Sequence, residues 1–142
     1  MSRLDQRKLK GYYIEPCEYR AARAQIERLS YLEEQISMIE AESERITNPK
    51  RIDDMVDMQR KVDLIYEALE QYVPFEDYRE PVLRHIAGRE QLLPLEDEFY
   101  ISTSTISRWS HMFVWGWIQL NHEDWEVLKD NVGVSADYYK RR

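Results

Sequence analysis

Five hydroxyl residues and an arginine crowd into seven consecutive positions of this chain: Ser102, Thr103, Ser104, Thr105, Ser107 and Arg108. Ser and Thr suit a helix start, because a side-chain oxygen there accepts from backbone N–H groups that have no partner within the helix. Beyond that start, Ile106, Trp109, Phe113, Trp117 and Leu120 recur at steps of 3, 4, 4 and 3, which lays one apolar stripe along a helix. Ser104, Ser107, Arg108 and His111 fall on the opposite face. Small hydroxyl residues allow close approach to the major groove of duplex DNA, their oxygens reach phosphates or bases, and an arginine can pair with guanine through two hydrogen bonds. The plainer reading of the same residues is a Ser/Thr-capped core helix, with Arg108 in a surface ion pair to Glu96 or Asp97.

Other chemistry finds less support. Glu33, Glu34, Asp54 and Asp57 resemble the carboxylates that helical nucleotide pyrophosphohydrolases use to hold magnesium. Ser37 stands one turn after Glu33, where a further inward acid would help, and these acids avoid the apolar seam, as solvated helix faces do. His85, His111 and His122 do not pair at a spacing of four, and neither a Ser-His-Asp set nor a Gly-rich phosphate loop is recognisable. The single cysteine, Cys17, allows no intrachain disulfide, and no Cys/His set has zinc-site spacing. The expectation is a protein that is not an enzyme and needs no cofactor or metal. Trp109, Trp115, Trp117 and Trp125 are at helical spacing, which favours packing over an aromatic ligand box.

The elements around the hydroxyl-rich stretch read as helices. Leu92, Leu95 and Phe99 mark a short helix just before it, with Pro94 acceptable near its start. Phe75 to Ala87 reads as another, carrying Tyr78, Val82, Leu83 and Ile86 on one side. Pro81 predicts that this helix begins near Glu80 or is kinked there, and Gly88 is a plausible stop. Arg84 and Arg89 are weaker candidates for phosphate contacts. After Leu120 a short helix is expected over His122-Glu123-Asp124-Trp125 and Leu128, then an aromatic and basic end, Tyr138-Tyr139-Lys140-Arg141-Arg142.

The first half carries two matched seams. Between Ala22 and Ile46 there is no Gly or Pro, and Leu29, Leu32, Ile36, Ile39, Ser43 and Ile46 step by 3, 4, 3, 4 and 3. Thr47-Asn48-Pro49-Lys50 breaks that run. Met55, Met58, Val62, Ile65, Leu69 and Tyr72 repeat the same steps, and Pro74 ends them. Two such seams joined by a short loop predict a long antiparallel helical hairpin. Its core is narrow, so a third helix, a second copy of the chain or another protein should complete it. Tyr12-Tyr13-Ile14 reads as an apolar strap against the hairpin base.

The expected fold is therefore all-α: a hairpin over residues 1–74, for assembly or partner docking, then a helical bundle over 75–142. The totals agree: 43% of the 142 residues are hydrophobic, 33% are charged, and only 4 Gly and 5 Pro punctuate the chain, too few for a many-turned β architecture. The net charge is −7, split as −3 over residues 1–75 and −4 over 76–142. That balance disfavours non-specific nucleic-acid binding and requires any DNA contact to use a local basic face. Met1–Lys10 is polar and basic without an apolar signal core, and no run approaches the ~20 apolar residues of a membrane span. A cytoplasmic location follows as an expectation.

The stretch Ile101 to Trp109 resembles the helix-turn-helix pattern, in which an apolar turn residue is followed by Ser-x-Ser-Thr-aliphatic-Ser-Arg-Trp. Ser102, Ser104, Thr105, Ile106, Ser107, Arg108 and Trp109 match it, and Leu92, Leu95 and Phe99 fall on core positions of the preceding helix. Tyr100 replaces the usual turn glycine, where a positive φ is costly for a bulky residue, and Glu96 stands where a small residue is usual. With the hairpin placed first, the chain is similar to RinA-type phage transcriptional regulators, whose C-terminal part resembles region 4 of bacterial sigma factors. The resemblance implies a sequence-specific regulator of phage genes in the host cytoplasm. It implies double-stranded DNA as partner, RNA polymerase as a further partner, and leaves room for a homodimer through the hairpin. A protein-interaction adaptor and a phage small terminase subunit are the alternatives.

Overall fold

The computed structural model describes residues 10–42 and 49–122, and every regular element among these is a helix. A 3-10 turn, Lys10–Tyr12, leads into α1 (Pro16–Ile26), α2 (Leu29–Ala41), α3 (Pro49–Tyr72), α4 (Glu76–Ile86), α5 (Leu92–Phe99) and α6 (Thr103–Leu120). The expected short helix from His122 to Leu128 lies, beyond His122, outside the described residues, as do the basic C-terminal end and the seam positions Ser43 and Ile46.

The helical hairpin is present, with α2 and α3 antiparallel. Glu42 near the end of α2 meets Arg51 near the start of α3 at 3.0 Å, and the Tyr66 hydroxyl donates to the Glu33 carboxylate at 3.3 Å. Leu29, Leu32, Ile36 and Ile39 are buried on one side and Val62, Ile65 and Leu69 on the other, with Met55 and Met58 packed against the cluster.

The continuous helix expected from Ala22 is bent. Glu27 and Arg28 keep right-handed φ, but their ψ values of −16° and −4° are those of a tightened turn. Arg28 N–H bonds to the Gln25 carbonyl at 3.2 Å, a three-residue step. No Gly or Pro marks the place. The bend lets α1 leave the hairpin and cross α6, while α2 stays on α3.

Pro81 does not start a helix. α4 begins five residues earlier at Glu76, and Pro81 is buried inside it. The one bond its missing N–H forfeits is to the Asp77 carbonyl, at the fraying start of the helix. Burial of Pro81, Val82 and Ile86 against the core offsets that loss.

Helix α6 is central. It packs against α1, α3, α4 and α5, most extensively against α3. Ile106, Phe113, Val114, Trp117 and Ile118 are all buried. One hydrophobic cluster joins Leu29, Leu32 and Ile65 of the hairpin to Val82, Leu95 and Phe113 of the second half. α6 is thus buried along one side, with exposed positions at its start (Ser102, Ser104) and near its end (Gln119).

Candidate nucleic-acid interface

The turn between α5 and α6 forms in three residues. Tyr100 closes α5 in the left-handed conformation, φ 56° and ψ 37°, with its N–H bonded to the Glu96 carbonyl at 2.8 Å. That is the conformation a glycine adopts without cost. Its side chain is 93% exposed, so the ring meets no neighbour that would fix it. Glu96 is only half-buried, so its carboxylate keeps access to water.

Ser102 caps α6 as the sequence predicts. Its φ and ψ are extended, and its Oγ accepts from Thr105 N–H at 3.2 Å. The same hydroxyl donates to Thr105 Oγ1 at 2.8 Å. Ser102 and Ser104 are exposed, while Thr103, Thr105, Ser107 and Arg108 are partly exposed. The opening of α6 therefore presents a short hydroxyl-lined edge. Arg108 lies over the Trp109 ring, 5.8 Å from its centroid. It makes no ion pair with Glu96 or Asp97.

His111 belongs to a different environment. Its Nε2 donates to the Tyr12 carbonyl at 2.6 Å, and its ring stacks on Tyr19 of α1 at 5.9 Å. One turn further on, Trp115 meets Tyr12 edge-on at 4.8 Å and Tyr72 at 5.6 Å. Tyr12 thus packs on the middle of the polar face of α6, at His111 and Trp115, and it is Trp115 that meets Tyr72 at the hairpin base. The stretch from Ser102 to Arg108 lies ahead of these contacts, with Ser102 and Ser104 exposed.

The two weaker candidates separate as well. Arg84 forms a fork with Glu90, Nε to Oε2 at 2.7 Å and Nη2 to Oε1 at 2.8 Å, and it also pairs with Glu98. Its charge state is held firmly by hydrogen bonds to Glu90 and Glu98, which raise its pKa. The same fork lowers the pKa of Glu90. An arginine so engaged fastens α4 to α5, with four of its five N–H donors given to Glu90 and Glu98. Arg89 is the opposite case: its side chain is 76% exposed and its nearest acid, Glu27, is 3.9 Å away. It adopts φ 57° in the turn after Gly88.

Next to this clasp, His85 donates from Nδ1 to the Glu90 carbonyl at 2.7 Å. Burial lowers its pKa and the neighbouring Arg23 charge adds to that, while the bond to Glu90 opposes it. Arg23 itself donates to the His85 carbonyl at 3.0 Å. Sequence reasoning named Arg84 but not its partners. Glu90 is brought back to it by the turn around Gly88, and that turn was the available signal.

Among the described residues, no three His, Cys, Asp or Glu side chains converge as a metal site requires, and no helix is long and apolar enough to cross a membrane. Compared with models of known protein families, with curated proteins and with solved structures, the chain matches none.

Proposed function

We propose that this protein is a sequence-specific DNA-binding transcriptional regulator that reads duplex DNA with the first two turns of α6. The observation that carries the reading is the α5–turn–α6 unit, with a capped, exposed start to α6 and an Arg108 that has no acidic partner among the described residues. Ser104, Ser107 and Arg108 supply groove contacts, while Ser102, Thr103 and Thr105 shape and cap the approach. Arg89 remains a candidate for phosphate. Arg84 and His111 act within the fold. The resemblance to RinA-type regulators adds phage promoters as the setting and RNA polymerase as a further partner.

The hairpin supplies the assembly surface in this reading. Tyr31, Met38, Ile52 and Val56 expose 53%, 48%, 45% and 60% of their surface on α2 and α3. A second copy of the chain is the expected occupant, and a sedimentation mass of one chain at micromolar concentration would remove that part of the reading.

The test of DNA binding is retention of fragmented DNA from the source genome by wild type and by Arg108→Ala. Enrichment of a few fragments by wild type, lost in the variant, is the expected result. No enrichment by folded wild type, or unchanged enrichment by the variant, overturns the reading. One observation favours a second reading, a protein-interaction adaptor: Glu96, Asp97 and Glu98 lie on α5 beside the open edge, in a chain of net charge −7. An adaptor would show no steep loss of DNA affinity with salt, whereas phosphate neutralisation gives a log–log slope of roughly −0.9 per contact.

A further inference from the structure

We infer that the corner where α1, α2, α3 and α6 meet is a binding site for a small carboxylate with an apolar body. The proposal stands apart from the DNA reading, since it concerns the end of α6 far from Ser102. Its origin is the bend at Glu27–Arg28. α2 stays on α3 while α1 turns away to cross α6, and a cavity of about 230 Å³ lies in the wedge between them. Protein interiors are close-packed and keep few voids larger than a water molecule. Gln25, near the end of α1, and Arg28, in the bend itself, form one wall of this one.

The lining divides by chemistry. Leu32 of α2, Ile65 of α3 and Trp117 of α6 are buried and supply an apolar floor, with half-buried Leu64 beside them. Arg28, Arg60 and Lys61 stand on the exposed rim with one acid, Asp57. This local excess of positive charge occurs in a chain of net charge −7. Lys61 lies 3.5 Å from Asp57 across one turn of α3, with side chains 52% and 63% exposed, and so exposed a pair is weak enough for an incoming anion to displace. Arg28 lies 5.7 Å from the centre of the Tyr31 ring and forms no ion pair with an acid among the described residues. An apolar floor under a cationic rim suits a ligand with an apolar body and one anionic head. The body gains by leaving water, and guanidinium and ammonium groups give charge-assisted hydrogen bonds to a carboxylate. The volume is below the ~300–1,000 Å³ of sites for drug-sized ligands, which limits the body to one ring or a short alkyl chain.

The experiment titrates the full chain, without DNA and at low ionic strength, with phenylacetate, octanoate, phenylacetamide and inorganic phosphate, read by calorimetry. Phenylacetate or octanoate should bind saturably with a Kd below about 1 mM, and the tighter of the two tells a ring from a chain. Phenylacetamide lacks the charge and phosphate lacks the apolar body, so each should bind at least about tenfold more weakly. R28Q/K61Q should bring the carboxylate down to the affinity of the amide. L64W, which fills the cavity from its edge, should abolish binding. R51Q, ten positions before Lys61 on α3, should bind as wild type does. Thermal midpoints show that each variant is folded, and R28Q/K61Q changes only exposed groups, so it decides the matter even where L64W does not fold. The site is overturned if folded wild type binds neither carboxylate, if the amide or phosphate binds as tightly as the carboxylate, or if R28Q/K61Q binds unchanged. Equal weakening by R51Q overturns it too.

Discussion

The ring of Tyr72 lies against the backbone of Gly116, so that a Cβ built on Gly116 would fall inside the ring carbons and 2.9 Å from Tyr72 Cβ. This contact fastens the end of α3 to the middle of α6. Glycine normally weakens a helix interior by about 1 kcal/mol relative to alanine. Here the close approach reverses the sign. Gly116→Ala should destabilise the protein by about 1–3 kcal/mol, the range for overpacking a core, measured by urea unfolding. In a Tyr72→Ala background the same substitution should cost nothing or stabilise, and a cost that persists there would show that Tyr72 is not its source.

Tyr100 carries a backbone strain that its exposed side chain does nothing to offset. A left-handed conformation costs an L-residue roughly 1–2 kcal/mol, and glycine gives back part of that through its freer unfolded chain. Tyr100→Gly should therefore raise stability by up to about 1 kcal/mol. A fall in the thermal midpoint would mean that the ring makes a contact that matters.

The cap on α6 should behave as a hydrogen bond and not as a packing contact. Ser102→Ala removes the acceptor for Thr105 N–H and should cost about 1 kcal/mol, whereas Ser102→Gly should cost only a few tenths. Equal losses from the two substitutions would assign the effect to the hydroxyl's other bond, to Thr105 Oγ1.

Acid should loosen the α4–α5 junction in two stages. His85 is held below its ordinary pKa of 6.5, chiefly by burial, so the unfolded chain takes up its proton first. The stability tied to neutral His85 is fully present above 6.5 and is lost as pH falls through the lower folded value. Glu90 is held below its ordinary 4.5 by the Arg84 fork, so its contribution is present above 4.5 and disappears at more acid pH. Urea midpoints should decline in both windows. His85→Gln should flatten the first decline and Arg84→Met the second. A wild-type midpoint that stays level from neutrality to about pH 6 and below would contradict the His85 assignment.

Much of this fold was legible from spacing alone. Steps of three and four fixed which side of each hairpin helix is buried, because a helix repeats every 3.6 residues and water excludes only one stripe. Pro74, Gly88 and the hydroxyls at Ser102 marked helix boundaries, since missing donors, permissive backbone and side-chain acceptors act within a few residues. The αL demand at Tyr100 could be foreseen from its place in the turn pattern, although its residue type argued against it.

What only tertiary structure decided is the company each side chain keeps. The bend at Glu27–Arg28 has no breaker residue and exists because α1 gains contacts by crossing α6. Pro81 sits inside a helix because burial outweighs one lost hydrogen bond. Arg84 and Arg108 look equivalent as isolated basic residues. The fold adds Glu90 and Glu98 to the Glu80 that Arg84 has on its own helix and gives Arg108 no carboxylate among the described residues, since charge pairing depends on distances across elements that periodicity does not encode. His111 shares a helix face with Ser104 and Arg108, yet a strap from residue 12 covers it, 99 residues away in the chain. A local pattern determines which face a residue is on; packing between distant segments determines whether that face remains open.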